Sequence, residues 1–320
     1  EDALDIQERH FKIHWILNLA QFQAFMNFRG TYEKVLGAVD EDNVGKILVS
    51  IDDRNWDSLK ALWEMKNFIK NSSELSELFK KPPTVVLEKL ESIADGAKLK
   101  EMLDDYRKEY GNKAIYTHEY ISPTWREDPS HIIENIQNYL ESDYDFYEAY
   151  NKCRDEQEEA IRAMFARVKD DKEREELQSA MDTALRMAPL TPDHHFYIDQ
   201  GTYARMRIVF KEVGKKLAET GVLEDAEDIF MLKYEEIRAI AANPQAFDVK
   251  GLVKERRQSM ENAKSIKPRE WVGTVSEWSL YQEPYKGLWG WPEKFDAEQR
   301  EKEAPQLDAE VKVLKGLPAS

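Results

Sequence analysis

Phe11-Lys-Ile-His-Trp-Ile-Leu-Asn-Leu-Ala-Gln-Phe-Gln-Ala-Phe-Met26 is the stretch that decides the fold class. Phe11, Trp15, Leu19, Phe22 and Met26 recur every three or four residues, the period of an α-helix. Ile16, Phe25 and Phe28 widen that stripe until most of the circumference is apolar. The pattern predicts one long helix from about Leu4 to Leu36, buried on several sides. His10 and His14 are four apart on it; with no third ligand in view, they read as polar residues of a core.

The same period continues outward. Helices are expected at Trp56–Lys70, Glu74–Lys80, Thr84–Ala94 and Ala97–Tyr110, with Pro82-Pro83 marking a helix start. Ile115–Arg126 breaks the pattern: Ile-Tyr-Thr-His-Glu-Tyr-Ile alternates and then meets Pro123, which predicts an extended segment or short strand. Helix resumes after Pro129 to about Leu140. It then runs from Tyr144 to Met187, with the charged run Lys169–Glu176 as a solvated turn between antiparallel partners. Asp193 is placed to cap a helix from His194 to Thr220, stopped by Gly221. A short run at Ile229–Leu232 and helices at Tyr234–Ala242 and Val249–Ala263 follow. Ile266–Phe295 changes character, with Pro268, Pro284, Pro292 and four tryptophans, and reads as an aromatic loop tail around the helical body. The fold class expected is all-α: a large multi-helix domain with a short extended segment and an aromatic-rich tail.

Composition narrows the function classes. The chain has 46 basic against 62 acidic residues, a net charge of −16, and its densest basic spot, Lys254–Arg257, also carries Glu255. Nucleic acid would meet net repulsion, so no nucleic-acid partner is expected. The single cysteine, Cys153, excludes a disulfide scaffold and argues against a structural zinc site. A reduced, cytoplasmic setting is the natural expectation. No apolar run approaches the roughly 20 residues of a membrane helix, so no membrane partner is expected. Gly-rich phosphate loops, G-x-G-x-x-G and H-E-x-x-H are missing, and no metal ligand set is assigned.

What remains is a polar concentration at Thr191–Arg207, holding two of the six histidines. On an α-helix His194, Ile198, Gly201 and Arg205 share one face. His195, Asp199, Thr202 and Met206 lie about 100° round from it. Asp199, four residues beyond His195, can accept its imidazole proton and raise its basicity. His-His near a helix start also serves capping or packing, and both readings stand. Gly201 in mid-helix costs about 1 kcal/mol against Ala, which suggests a close neighbour or ligand. A second concentration, Tyr116–Pro129, offers His118, Glu119, Arg126 and Glu127 on irregular backbone, where binding groups tend to sit; an Arg126 ion pair bracing the loop is the plainer alternative.

Thr191–Leu232 resembles a signature of the phosphoenolpyruvate-utilising enzymes. The parts are Asp-His-His-Phe-Tyr-Ile-Asp-Gln200, the arginines Arg205 and Arg207, Gly214-Lys-Lys-Leu217 and Gly221-Val-Leu-Glu-Asp-Ala-Glu-Asp-Ile-Phe-Met-Leu232. Together with Pro123–Pro129 and Leu288–Phe295, it is similar to the large subunit of phenylphosphate synthase and related phenol-phosphorylating enzymes. The terminal Leu314-Lys-Gly-Leu-Pro-Ala-Ser320 resembles the opening of their swivelling phosphohistidine domain.

The resemblance implies a helical acceptor-binding domain over 1–313, with sub-parts about 1–188 and 189–313, and the start of the swivelling domain at 314–320. The absence of an initiator Met fits a piece of a larger enzyme. The implied partners are a small aromatic alcohol, the swivelling domain, and an ATP-grasp domain or subunit carrying ATP and Mg; no cofactor is expected in this chain, which alone should be inactive. Chemistry then suggests His195 or His194 as base, Asp199 as its orienter, and Arg205 or Arg126 as phosphoryl clamp. His118 and Glu119 would contact substrate, and Phe196, Tyr197 and Trp289 would wall a flat acceptor. A non-phenolic alcohol, as in rifampicin phosphotransferases, and a non-catalytic docking scaffold are the alternatives.

Overall fold

A computed structural model of the chain describes residues 2–244 and 247–267. Among these, every regular element is helical, and the one β pairing is an isolated antiparallel bridge between Ala114 and Thr124. The α-helices are α1 (Asp2–Leu36), α2 (Glu41–Ile47), α3 (Arg54–Lys70), α4 (Ser73–Leu78), α5 (Pro83–Lys89), α6 (Gly96–Tyr110) and α7 (Ser130–Glu141). They continue with α8 (Phe146–Ala166), α9 (Asp171–Met187), α10 (Leu190–His194), α11 (Gly201–Glu219), α12 (Tyr234–Ala242) and α13 (Val249–Lys264). The chain divides into a unit Glu1–Arg257 and a second from Gln258, of which the last turns of α13 and residues up to 267 are described. The aromatic tail, Trp289 included, lies outside the described residues. No described helix is long and apolar enough to cross a membrane.

Three apolar cores hold the first unit. One is built by α3 to α7, with Leu62, Ile69, Leu99, Ile132 and Ile136 at its centre and Phe196 inserted from beyond α10. The second packs Phe28 and Tyr32 of α1 against α2, α8 and α9 through Ile47, Met164 and Leu177. The third joins α12, α13 and a 3-10 turn at Ala226–Met231 through Ile229, Ile240 and Val253, with Phe210 and Leu217 of α11 against it. Gly214 lets that turn approach α11: a Cβ there would lie 2.2 Å from the Ala226 carbonyl oxygen. Gly221, at φ +77, ends the chain's run through α11.

Two sequence expectations are corrected. α1 is not buried on several sides: Phe11, Trp15, Leu19, Phe22 and Met26 are exposed, and its buried residues are Ala24, Phe28 and Tyr32. The reason is a second stripe, Gln7, His14, Asn18 and Gln21, at helical spacing. Gln7 donates to the Tyr120 hydroxyl, and Gln21 donates to the Ala188 carbonyl at 3.1 Å. Asn18 and His14 meet α10 and the residues after it. The polar stripe therefore faces the protein along the first half of α1. Asp193 does not cap its own helix, which starts earlier, at Leu190. Its carboxylate instead accepts the Arg54 backbone N–H at 3.0 Å and so caps α3.

Candidate active site

Between α10 and α11 the backbone widens into a π-helical segment, His195–Gln200. The Gly201 N–H reaches back five residues to the Phe196 carbonyl. Such π-turns are rare and concentrate at functional sites. Their consequence here is geometric. In an α-helix, residues five apart point in different directions, but a ring closed from i to i+5 draws them together. Asp199 thereby lies within reach of both histidines that precede it.

The Asp199 carboxylate is almost fully buried and is shared. Its Oδ2 accepts from His195 Nδ1 at 3.0 Å, and the same oxygen is 3.8 Å from His194 Nε2. Its Oδ1 is 2.8 Å from Nδ1 of His14, contributed by α1. That last pair is at contact distance but lacks the alignment of a hydrogen bond, and neither atom has a hydrogen-bond partner among the described residues. His194 Nδ1 bonds the Leu190 carbonyl at 2.7 Å, which fixes its proton there and turns the Nε2 lone pair inward. Asn18 Nδ2 lies 3.1 Å from His14 Nε2 and 3.2 Å from His194 Nε2. The His14 and His194 rings meet edge to face at 4.6 Å.

Electrostatics follows from burial. Burial pushes the Asp199 carboxyl up, but the His195 hydrogen bond and the neighbouring imidazoles outweigh it and hold the group below the usual aspartate value. Burial pushes His194 down, against the pull of the Leu190 carbonyl and Asp199, so it stays a neutral ring. His195 is the accessible member: its side chain is 38 % exposed, against 3 % for His194. An imidazole whose Nδ1–H is held by a buried carboxylate presents Nε2 as a proton acceptor.

The remaining candidates separate into those near this cluster and those bound elsewhere. Arg205 lies one turn beyond Gly201; its Nη1 would be 3.4 Å from a Cβ there, so its side chain folds back along the helix toward the π segment. It is exposed and has no ion pair among the described residues. The three nearest atoms to Gly201 come from its own helix, so no second helix explains that glycine. His118 sets its ring edge-on to Tyr203 of α11 at 5.2 Å, and Tyr120 stacks on the same ring at 5.1 Å, so the irregular 116–127 segment does reach α11. Glu119 is exposed on that segment.

Others are structural. Arg126 donates to the Lys108 carbonyl at 2.7 Å and braces the end of α6. Arg207 is 1 % exposed and is held by Glu127, Glu227 and the Tyr120 carbonyl, over the Phe230 ring. Phe196 does not wall a pocket: it is a core residue against Tyr110, under the Arg54 guanidinium. Tyr197 is exposed beside it. His14 was legible only as a core polar residue, because its partners are about 180 positions away. The available signal was the polar stripe Gln7–His14–Asn18–Gln21 on an otherwise apolar helix. Phe11, stacked on His14 at 5.3 Å, and Trp15, edge-on at 5.4 Å, are the aromatic groups nearest the cluster from that side.

Known proteins resemble this chain along most of its length. It is 26 % identical over 280 residues to the uncharacterized phosphotransferase YvkC of Bacillus subtilis (strain 168), covering 87 % of this chain and 33 % of that protein. It is 24 % identical over 255 residues to the chondramide synthase cmdD of Chondromyces crocatus, 75 % of this chain and 6 % of that one. To a rifampicin phosphotransferase of Streptomyces sviceus it is 20 % identical over 188 residues, 57 % of this chain and 21 % of that protein. The chain thus spans a third or less of the curated relatives it matches. Residues 17–191, more than half of it, match the model of the rifampicin phosphotransferase fourth domain. With α1 from Leu17 through to the end of α9 inside that match, the chain belongs to this family of phosphotransferase domains.

Proposed function

We propose that this chain is the acceptor-binding domain of a phosphohistidine-dependent phosphotransferase, and that its acceptor is a phenolic hydroxyl. The observation that carries the reading is the His195–Asp199 pair: an accessible imidazole oriented by a buried carboxylate on a π-turn, with Arg205, which has no ion pair among the described residues, one and a half turns on. A phosphohistidine arriving from a mobile domain is already an activated donor. The acceptor domain then has to position the hydroxyl, take its proton and stabilise charge on the transferring group. A phenol titrates near about 10, within reach of an imidazole base. His195 Nε2 takes the phenolic proton, Asp199 holds the resulting imidazolium, and Arg205 meets the equatorial phosphoryl oxygens. Phe11, Trp15 and Tyr197 supply aromatic surface for a flat ring.

ATP and Mg belong to another domain or subunit in this reading. That placement is supported by the N-termini of α2, α3, α8 and α9, where the capping carboxylates of Asp40, Asp53, Asp145 and Asp170 would repel phosphate. The match to the rifampicin phosphotransferase domain supports a second reading, a larger non-phenolic alcohol as acceptor. Both are tested in the complete enzyme with a pulse of labelled ATP chased by acceptor. His195→Ala should accumulate labelled phosphoenzyme and discharge it about 10²–10⁴-fold more slowly, the range of a positioned acid or base. Discharge at the wild-type rate would remove His195 from the mechanism. A chase with simple phenols against bulky aliphatic alcohols separates the two acceptor classes.

A further inference from the structure

We propose that His14, His194 and Asp199 form a binding site for a divalent first-row transition ion, with Zn²⁺ the best match. One ligand atom from each of the three lies within 4.8 Å of the other two. Ligands sharing a zinc at about 2.0–2.1 Å stand about 3.3 Å apart, so small side-chain rotations close the set. All three side chains are at least 87 % shielded from solvent, with exposures of 13 %, 3 % and 3 %.

Three features point to a cation rather than to a packed polar core. First, Asp199 Oδ1 and His14 Nδ1 face each other at 2.8 Å, buried and out of line for a hydrogen bond, an arrangement that a shared cation satisfies. Second, the outer partners are those of a metal site. His194 gives its Nδ1 proton to the Leu190 carbonyl, leaving Nε2 as ligand, and His195 holds the other oxygen of Asp199. Third, Asn18 can set the tautomer of His14. Turning its side-chain amide end for end, a choice that heavy atoms leave open, lets its oxygen accept His14 Nε2–H. His14 Nδ1 and His194 Nε2 then both present lone pairs to the ion. Two imidazoles and one carboxylate favour zinc and its neighbours over Mg²⁺ or Ca²⁺, which prefer oxygen, and leave a fourth position open. The site shares Asp199 with His195 but does not depend on the phosphoryl-transfer reading.

The test is Zn²⁺ binding to the full, chelator-stripped chain at pH 7.5, followed by competition with a chromophoric chelator. One equivalent should bind with Kd below about 10 µM. By linkage, 1 mM free Zn²⁺, at least about a hundredfold above Kd, should raise Tm measurably, with chelator reversing it. His14→Ala and Asp199→Asn should each weaken binding at least tenfold, while His131→Ala, at the surface His131–Glu134 pair, should leave it unchanged. Co²⁺ in place of Zn²⁺ should give visible d–d bands that His14→Ala abolishes. Binding weaker than about 10 µM in the wild-type chain, or tight binding that survives both ligand substitutions, overturns the proposal. The wild-type titration and Tm shift decide it even if a variant fails to fold.

Discussion

Replacing Glu127 with Gln should destabilise the protein by about 2 kcal/mol at neutral pH, and the loss should shrink in acid. Glu127 Oε2 accepts from Arg207 Nε at 2.7 Å and from the backbone N–H and hydroxyl of Thr124 at 3.0 Å each; Oε1 accepts from Lys211 at 2.7 Å. Burial pushes the carboxyl up, but these donors overcome it and hold it at about 2 against an ordinary 4.5. At about 1.36 kcal/mol per pKa unit that displacement is worth about 3 kcal/mol. A fifth of the side chain remains open to solvent, and Arg207 keeps Glu227 after the substitution, so we take the lower figure. The folded pKa lies below the unfolded one. The contribution is therefore complete above pH 4.5 and is lost as pH falls toward 2. By pH 3.5 the wild type has lost about two-fifths of it, about 0.8 kcal/mol, so urea titrations at pH 7 and 3.5 should show the gap between the two proteins narrowing by about that much. A gap that is absent at pH 7, or that is constant between the two, would refute the electrostatic account.

Two further substitutions probe how the site is held. Gly214→Ala should cost about 1–3 kcal/mol, because its Cβ would overlap the Ala226 carbonyl, whereas Gly201→Ala, with 3.4 Å to the movable Arg205 tip, should gain up to about 1 kcal/mol; thermal melts of the pair check the contrast. Asp193→Ala removes the cap on the Arg54 N–H and should lower stability by about 1 kcal/mol, with faster hydrogen exchange confined to the first turn of α3.

Helix existence was legible because amphipathic spacing is a local property. The segments now seen as α3, α6, α7 and α12 announce themselves within one or two turns, and Gly221 marks the end of α11 by its own conformational freedom. Orientation was not legible in α1. Periodicity shows that Phe11, Trp15 and Leu19 share a face; it does not say which face turns inward when an opposite polar stripe has a buried carboxylate to meet. Arg207 illustrates the same limit for charge. In sequence it stands beside Arg205 as one of two signature arginines, with nothing local to tell a buried one from an exposed one. Its burial is decided by Glu127, 80 residues earlier, and by Glu227, 20 later.

The π segment is where local reading and function part most sharply. Face assignments at 100° per residue correctly bring His195 to Asp199, four apart, yet they place His194, five before Asp199, on a different side. The wider turn cancels that separation and gives one carboxylate two histidines from its own chain segment and a third from α1. An α-helical register at 195–200 would keep the His195–Asp199 contact and lose the convergence of His194 and His14. The widened turn is therefore what turns a histidine–aspartate pair into a four-residue cluster, with one imidazole at the surface and two enclosed. In the proposed reaction that division fits two tasks: proton transfer at His195, and a buried polar environment behind it that favours the ionised Asp199.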